Sequence, residues 1–416
     1  VKRSAAKICR ILPHLGGLAA AVAAPIQARA EVRTKVDVSL ETTAESNPFL
    51  SIGSDTAAAS VGLRIDPAVY IEDDTTTAVI EGGVRVEQFS RRYGNNESAR
   101  LHVGLRHSLD ERTTARVDAS IQSSRSLVRD FVALRFEDEL ALLPDANGSL
   151  PPVDLPAPDI TAAGRRSRVT SLSSGASLDH ALSARDSLSL GITAGITRSE
   201  DRLGGDYQTA GGSAFFRRMI SERTGMFASL RGGLADYRNS TQGDGFFLTP
   251  MLGLDYRLSD RLSVNVSAGV SFTSVENGIG GRVRKTSVAG ELALCRRETN
   301  GSICAAVSRR AQPTLYGGIT TATNANVIYT RNLSDRDQLS FGGGFGRSEG
   351  GISTRSNVAG RPRELVSTFV DYRHELSDRL SGFITPRYER IFDRTAEDRH
   401  NFAIIAGITY RIGSVR

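Results

Sequence analysis

Leu262-Ser263-Val264-Asn265-Val266-Ser267-Ala268-Gly269-Val270-Ser271-Phe272-Thr273 alternates without a break. Leu262, Val264, Val266, Ala268, Val270 and Phe272 share one face, and the serines, Asn265, Gly269 and Thr273 share the other. A period of two held this long is a β-strand with one apolar and one polar side. Leu188–Thr197 repeats the pattern, as does Phe246–Leu258, with Thr249, Asp255 and Arg257 on its polar face. Near the end, Phe402, Ile404, Ala406, Ile408 and Tyr410 oppose Asn401, Thr409 and Arg411. Such strands are about twice the usual soluble length, and no long helix is legible that could cover their apolar faces. A strand crossing lipid in a barrel needs ~9–11 residues. The apolar rows therefore read as lipid-facing and the polar rows as lumen.

Working outward, a turn repeat punctuates these strands. It reads Leu258-Ser259-Asp260-Arg261, Leu333-Ser334-Asp335-Arg336 and Leu376-Ser377-Asp378-Arg379. Looser copies start at Leu109, Leu182 and Ile220, giving intervals of 73, 38, 38, 75 and 43 along the chain. One hairpin per ~38 residues explains both the single and the doubled spacings. The spacing adds turns at Glu72-Asp73-Asp74 and at Glu298-Thr299-Asn300-Gly301. Eight short turns imply nine hairpins, hence an all-β, transmembrane, antiparallel up-and-down barrel of 18 strands over 31–416, with 16 strands left open by the irregular stretch 283–316. Both termini fall on the short-turn side, which in outer-membrane barrels is periplasmic. Tyr256, Tyr329, Tyr372 and Tyr410 lie on outward rows near that side, as an aromatic girdle requires.

Composition agrees once the charge is located. The chain has 416 residues and a formal charge of +6, yet residues 1–30 hold five basic residues and no acid. The remainder carries 47 basic against 46 acidic residues, which removes the case for nucleic acid. Residues 1–30 read as a cleaved secretory signal: a cationic start, the largely apolar Ile11–Ala24, and Ala28-Arg29-Ala30 as cleavage site. Cys9 precedes the apolar stretch, which argues against a lipid anchor.

Val36–Leu40 runs into Ser46-Asn47-Pro48-Phe49-Leu50 and then into a long second strand. That opening resembles the β-barrel porin 2 family of proteobacterial outer membranes, some members of which are associated with exopolysaccharide loci. The resemblance implies an outer-membrane barrel of a Gram-negative bacterium in contact with membrane lipid, with saccharide or exopolysaccharide export components as candidate partners. It transfers no functional residue.

Period-two parity assigns a candidate lumen lining of both signs: Arg64 and Asp66, then Glu81, Arg85 and Glu87, then Arg100 and Arg106, then Arg116 and Asp118. Later strands add Arg231, Asp255, Arg257 and Glu291, then Asp371 and Arg373, then Arg387 and Glu389. Charge in these rows needs water or a partner, so the lumen is either a hydrated pore or a plug of paired side chains. Tyr70, Phe227, Phe247, Phe369 and Phe383 fall on the same rows, either stacking on sugar rings or filling space. Cys295 and Cys304 flank one short turn on the same face, as a disulfide in an oxidising compartment or as two thiols.

The long external loop 126–165 is expected either to fold inward as a constriction, with Gly342, Gly344 and Gly346 as a side-chain-free row to receive it, or to pack outside. His102, His107, His180, His374 and His400 form no HExxH, and neither GxSxG nor a P-loop occurs. No catalytic residue, cofactor or metal site is read. The expected function is passage of hydrophilic solutes, saccharides among them; the alternative is a non-conducting accessory barrel for exopolysaccharide assembly or surface attachment. Oligomeric state is not legible.

Overall fold

The structure, a computed structural model, describes residues 30–53, 56–125, 159–162, 164, 166–201, 205–238, 242–277, 281–316, 318–349, 363–392 and 399–413. Residues 1–29 of the expected leader and 126–158 of the long loop lie outside the described residues. In chain order the strands are β1 (Glu31–Glu45), β2 (Ala58–Glu72), β3 (Thr76–Phe89), β4 (Asn95–Ser108), β5 (Thr113–Ser124) and β6 (Val169–Ala181). They continue as β7 (Asp186–Ser199), β8 (Asp206–Met219), β9 (Thr224–Arg238), β10 (Gln242–Ser259), β11 (Leu262–Asn277) and β12 (Arg282–Glu298). The last six are β13 (Gly301–Thr314), β14 (Gly318–Asn332), β15 (Asp337–Ser348), β16 (Arg363–Ser377), β17 (Leu380–Phe392) and β18 (Arg399–Gly413).

Every strand pairs antiparallel with its sequence neighbours, and β1 also pairs with β18 from Lys35↔Gly413 to Glu45↔Ala403. The sheet of 18 strands is therefore a closed up-and-down barrel. The two faces of each strand differ as the alternation predicts. Along β18, Ala403 is fully buried while Ile404 is 42 % exposed. Leu190, Ile192, Leu252, Leu254, Phe272 and Ile408 form part of a continuous exposed apolar coat, far larger than a soluble monomer carries. Tyr256, Tyr372 and Tyr410 are exposed on it, near the short turns.

The turn repeat has a local cause. The second residue of each copy accepts hydrogen bonds from the backbone as the chain reverses. Ser334 Oγ accepts from the amides of Arg336 and Asp337, at 3.1 and 3.0 Å. Ser183 does the same for Arg185 and Asp186. Ser221 and Ser259 each accept from the amide two residues on, and Asp110 replaces serine in the looser copy by accepting from the Arg112 amide. Serine and aspartate favour turns for this reason.

One hairpin leaves the wall. β12 pairs with β13 only from Gly290↔Arg309 to Glu298↔Gly301, and β14 meets β15 only from Ala322↔Ser348 onward. The end of the β13–β14 hairpin beyond those pairs bends inward. Ala311 and Ile319 pack on Ala235, Tyr237 and Val275, which belong to β9 and β11. Ile319 also fills the space beside Gly245 of β10. The breach is bridged by side chains: Lys285 of β12 and Arg309 of β13 both reach Glu349, at 3.0 and 2.5 Å. Arg309 Nε also donates to the carbonyl of Val288 at 3.2 Å.

Two adjacent substitutions on β7 test the lipid–lumen assignment. Ile192→Arg puts a charge on the coat near mid-strand and is expected to cost about 2–4 kcal/mol. Thr193→Arg, facing the lumen, is expected to cost well under half as much, measured by urea unfolding in lipid vesicles. Equal costs would contradict the assignment.

Candidate functional site

The lumen wall is chemically lopsided. From β6 to β11 the inward rows are dominated by Ser171, Ser173, Gly175, Thr193, Gly195 and Gly211, with similar residues beyond. From β16 through β18 and β1 to β5 they are densely charged. A cavity of about 490 Å³ lies against the charged side, lined by β1–β5 and β14–β18. Among the sequence-assigned residues, Arg64, Asp66, Glu81, Arg85, Arg100, Asp371, Arg373 and Arg387 line it. Arg411, on the polar row of the last strand, lines it too, and the structure adds Lys35, Asp37 and Glu41 of β1. Their signal is the alternation Lys35-Val36-Asp37-Val38-Ser39-Leu40-Glu41, whose polar row the sequence reading left unassigned.

Most of these charges are paired across strands. Arg411 meets Asp37 at 2.8 Å and Arg85 meets Glu41 at 2.8 Å, whereas Arg64 meets Asp66 at 2.6 Å within β2. Arg100 approaches Asp66 from the other side at 3.6 Å. Toward the loop end the charges become fully enclosed. Arg387 lies 3.2 Å from Glu45 and 3.4 Å from Glu389, and Asn401 donates to both carboxylates. Glu87 accepts from Ser60 Oγ at 2.6 Å and lies 3.8 Å from Arg85. Removing one member of so buried a set leaves an uncompensated charge and costs about 3–5 kcal/mol. The remaining assigned residues lie on inward rows outside the cavity lining. Arg116 pairs with Asp179 at 3.3 Å, Asp255 with Arg217 at 3.0 Å, and Glu291 with Arg310 at 3.7 Å. Arg106, Asp118, Arg231 and Arg257 complete those rows.

Four lumen phenylalanines share one device. Phe369, Phe383, Phe227 and Phe247 stand directly opposite Gly342, Gly407, Gly253 and Gly233 on the neighbouring strand. Each ring occupies the place that a Cβ on its glycine would take; at Gly407 that atom would lie 2.7 Å from Phe383 Cζ. The rings lie against the wall instead of projecting across the bore. Phe215 adds to the Phe227 ring at 5.1 Å between centroids.

The loop-side mouth is crossed by packed chain. Ser46–Leu50 turns inward: the Asn47 amide donates to Asn401 Oδ1 at 2.9 Å, and Asn47 exchanges two hydrogen bonds with the Ser51 backbone. Leu50 takes a positive φ of 50° and packs with Ile160, Leu365 and Ile391. Phe49 stacks with Phe89 and Tyr93, and the Arg166 guanidinium lies 4.8 Å from the Phe49 ring centre. Ile160 opens a single 3₁₀ turn, Ile160–Ala162, and its side chain fills the space above Gly346. Of the glycine row proposed to receive the long loop, Gly346 meets Ile160, whereas Gly342 is covered by Phe369.

On the other side of the turn, Ala162 joins Val169, Leu315 and Tyr316, with Tyr207 against them. Asp159 clasps the arrangement, accepting from the amides of Thr161 at 3.0 Å and Leu315 at 2.5 Å. Burial pushes its carboxyl above the usual range, against those hydrogen bonds and the nearby Arg363. Ser46–Leu50, the 3₁₀ turn and the β13–β14 tip thus form a layer from the β16–β17 wall to the β8–β9 wall.

At the short-turn end, Cys295 and Cys304 are register partners joined by a disulfide. Three of the histidines hydrogen-bond a neighbouring strand: His107 with Thr76, His180 with Thr113 and His374 with Asp337. Among the described residues no cluster of His, Cys, Asp and Glu could hold a metal ion.

No family model matches the chain, and no curated protein matches it. Similar solved structures include the FrpB iron transporter from Neisseria meningitidis, at 8 % identity and a TM-score of 0.45 over 91 % of this chain and 82 % of that one. Pseudomonas aeruginosa OccK5 (OpdH) gives 10 % identity and 0.45 over 92 % and 98 %. Pseudomonas aeruginosa OprD gives 12 % and 0.42 over 91 % and 95 %.

Ile160→Ala removes the side chain that links the 3₁₀ turn to β15–β17 and is expected to raise single-channel conductance. Unchanged conductance would show that this layer does not limit flow. Replacing Cys295 and Cys304 together by alanine is expected to lower stability by about 2–3 kcal/mol, because the bridge closes only a short loop, as read from urea midpoints with and without reductant.

Proposed function

We propose that the protein resides in the outer membrane of a Gram-negative bacterium and passes small hydrophilic solutes along the charged side of its lumen. The observation that carries this reading is a cavity of about 490 Å³ with ion-paired walls inside an apolar-coated barrel. Charges at this density require water beside them or complete pairing, and the cavity supplies room for water. Barrels of this strand number enclose aqueous space when side chains and loops do not fill it. The expected export leader over 1–30 agrees with the location. Small saccharides belong to the proposed solute class, since aromatic faces and planar polar groups line the same cavity.

A second reading is favoured by the packed layer at the mouth: a non-conducting barrel that serves exopolysaccharide assembly or surface attachment and works with export components. Planar-bilayer recordings separate the two. The channel reading expects ohmic currents with weak ion selectivity, because the lining carries both signs. Electrical silence from protein that still shows heat-modifiable gel mobility would overturn it and support the accessory barrel.

A further inference from the structure

The cavity lining contains one patch whose groups are not spent on one another. Arg373 of β16 stands opposite Phe383 of β17, and Phe383 stands opposite Gly407 of β18. The glycine lets the phenyl ring lie over the wall toward β18, with Arg373 its register partner on the adjoining strand β16. Two residues along the same inward row, Asp371 accepts from Thr385 Oγ1 at 2.5 Å through Oδ1, which leaves Oδ2 directed to no other described group. Ser340 of β15 is the register partner of Asp371. Among the described residues Arg373 has no carboxylate partner, and its Nε is buried without a hydrogen bond. Arg373, Phe383, Asp371, Thr385 and Ser340 all line the cavity. Of the arginines that line the cavity, Arg64, Arg85, Arg100, Arg387 and Arg411 each meet an acid, so Arg373, near a half-free aspartate and a phenyl ring, is the exception among the described residues.

The chemistry of this patch is specific. A guanidinium offers a fork of donors, and a carboxylate offers paired acceptors. Both geometries match two adjacent hydroxyls on a ring. An aromatic face beside them takes the C–H side of the same ring. A small anion would use the arginine alone, whereas a flat polyol uses all three groups. The cavity volume of about 490 Å³ lies within the range of small-molecule sites, roughly 300–1,000 Å³.

We propose that Phe383, Arg373 and Asp371 form a subsite for the pyranose ring of a neutral sugar. The inference rests on the reading that this cavity is a solute path, and it names a solute class for it. A site built to hydrogen-bond ring hydroxyls discriminates strongly against ligands lacking them, because its own polar groups are then left unpaired.

The test is calorimetric titration of detergent-solubilised protein with maltose, and separately with gluconate, alongside maltose block of single-channel current. Maltose is expected to bind, and Phe383→Ala and Arg373→Gln are each expected to weaken it at least tenfold. Phe383→Tyr is expected to retain binding, and heat-modifiable mobility confirms that each variant is folded. Gluconate binding without maltose binding would overturn the proposal in favour of an anion site at Arg373. Maltose binding that neither variant weakens would overturn it as well. Binding in a barrel that carries no current would uphold the subsite and overturn the channel reading, so the two failures are distinct.

Discussion

The whole molecule depends on one constraint: in hydrocarbon no backbone amide or carbonyl can go without a partner. Pairing of β1 with β18 closes the ring and removes the last free edge. Closure then sets the sequence. With both ladders of every strand occupied, the side chains are left to satisfy lipid on one face and lumen on the other. The plain alternation of Leu262–Thr273 follows directly, and so do the short Ser-Asp turns that must reverse the chain without wasting backbone groups.

The same constraint decides where the wall is allowed to open. β12 and β13 keep their ladder from Gly290 to Glu298, a height of ~21 Å for strands tilted near 40°. That is close to the ~25 Å apolar band of such barrels. Only above this level does the β13–β14 tip leave the sheet, and there Lys285, Arg309 and Glu349 replace the missing pairs with charged contacts. Charged bridges of that kind are affordable at the headgroups and not within hydrocarbon. The breach is thus placed by solvation, and the tip that leaves it becomes packing material for the mouth.

Much of this was legible in the sequence because it is local. Ser334 caps its turn from within four residues, and Ile404 differs from Ala403 through parity alone. The strand number follows from counting such turns. What was illegible depends on the ring. Arg387 meets Glu45 across 342 positions of sequence, and no spacing announces it. The inward tip is a subtler failure. The pattern is irregular through 283–316, and period two is silent on whether a row such as Ala311 and Ile319 meets lipid or the inner face of β9–β11. Ser46–Leu50 stood out as a motif, but its inward turn depends on Asn401, Ile391 and Ile160, residues that closure alone brings near.

The lopsided lumen connects these features. On the neutral side, serine, threonine and glycine rows lose little when covered, and the β13–β14 tip and the phenyl rings of Phe227 and Phe247 cover them. On the charged side, covering would demand that every ion be paired, which is achieved only at the enclosed set around Arg387 and Glu389. Below that set, desolvation is too costly for chain to enter, so the space remains a cavity. The charges therefore need not select a solute in order to matter. They hold one side of the bore free of protein, and Arg373 and Asp371 of the proposed subsite are among the few groups there that the wall does not itself neutralise.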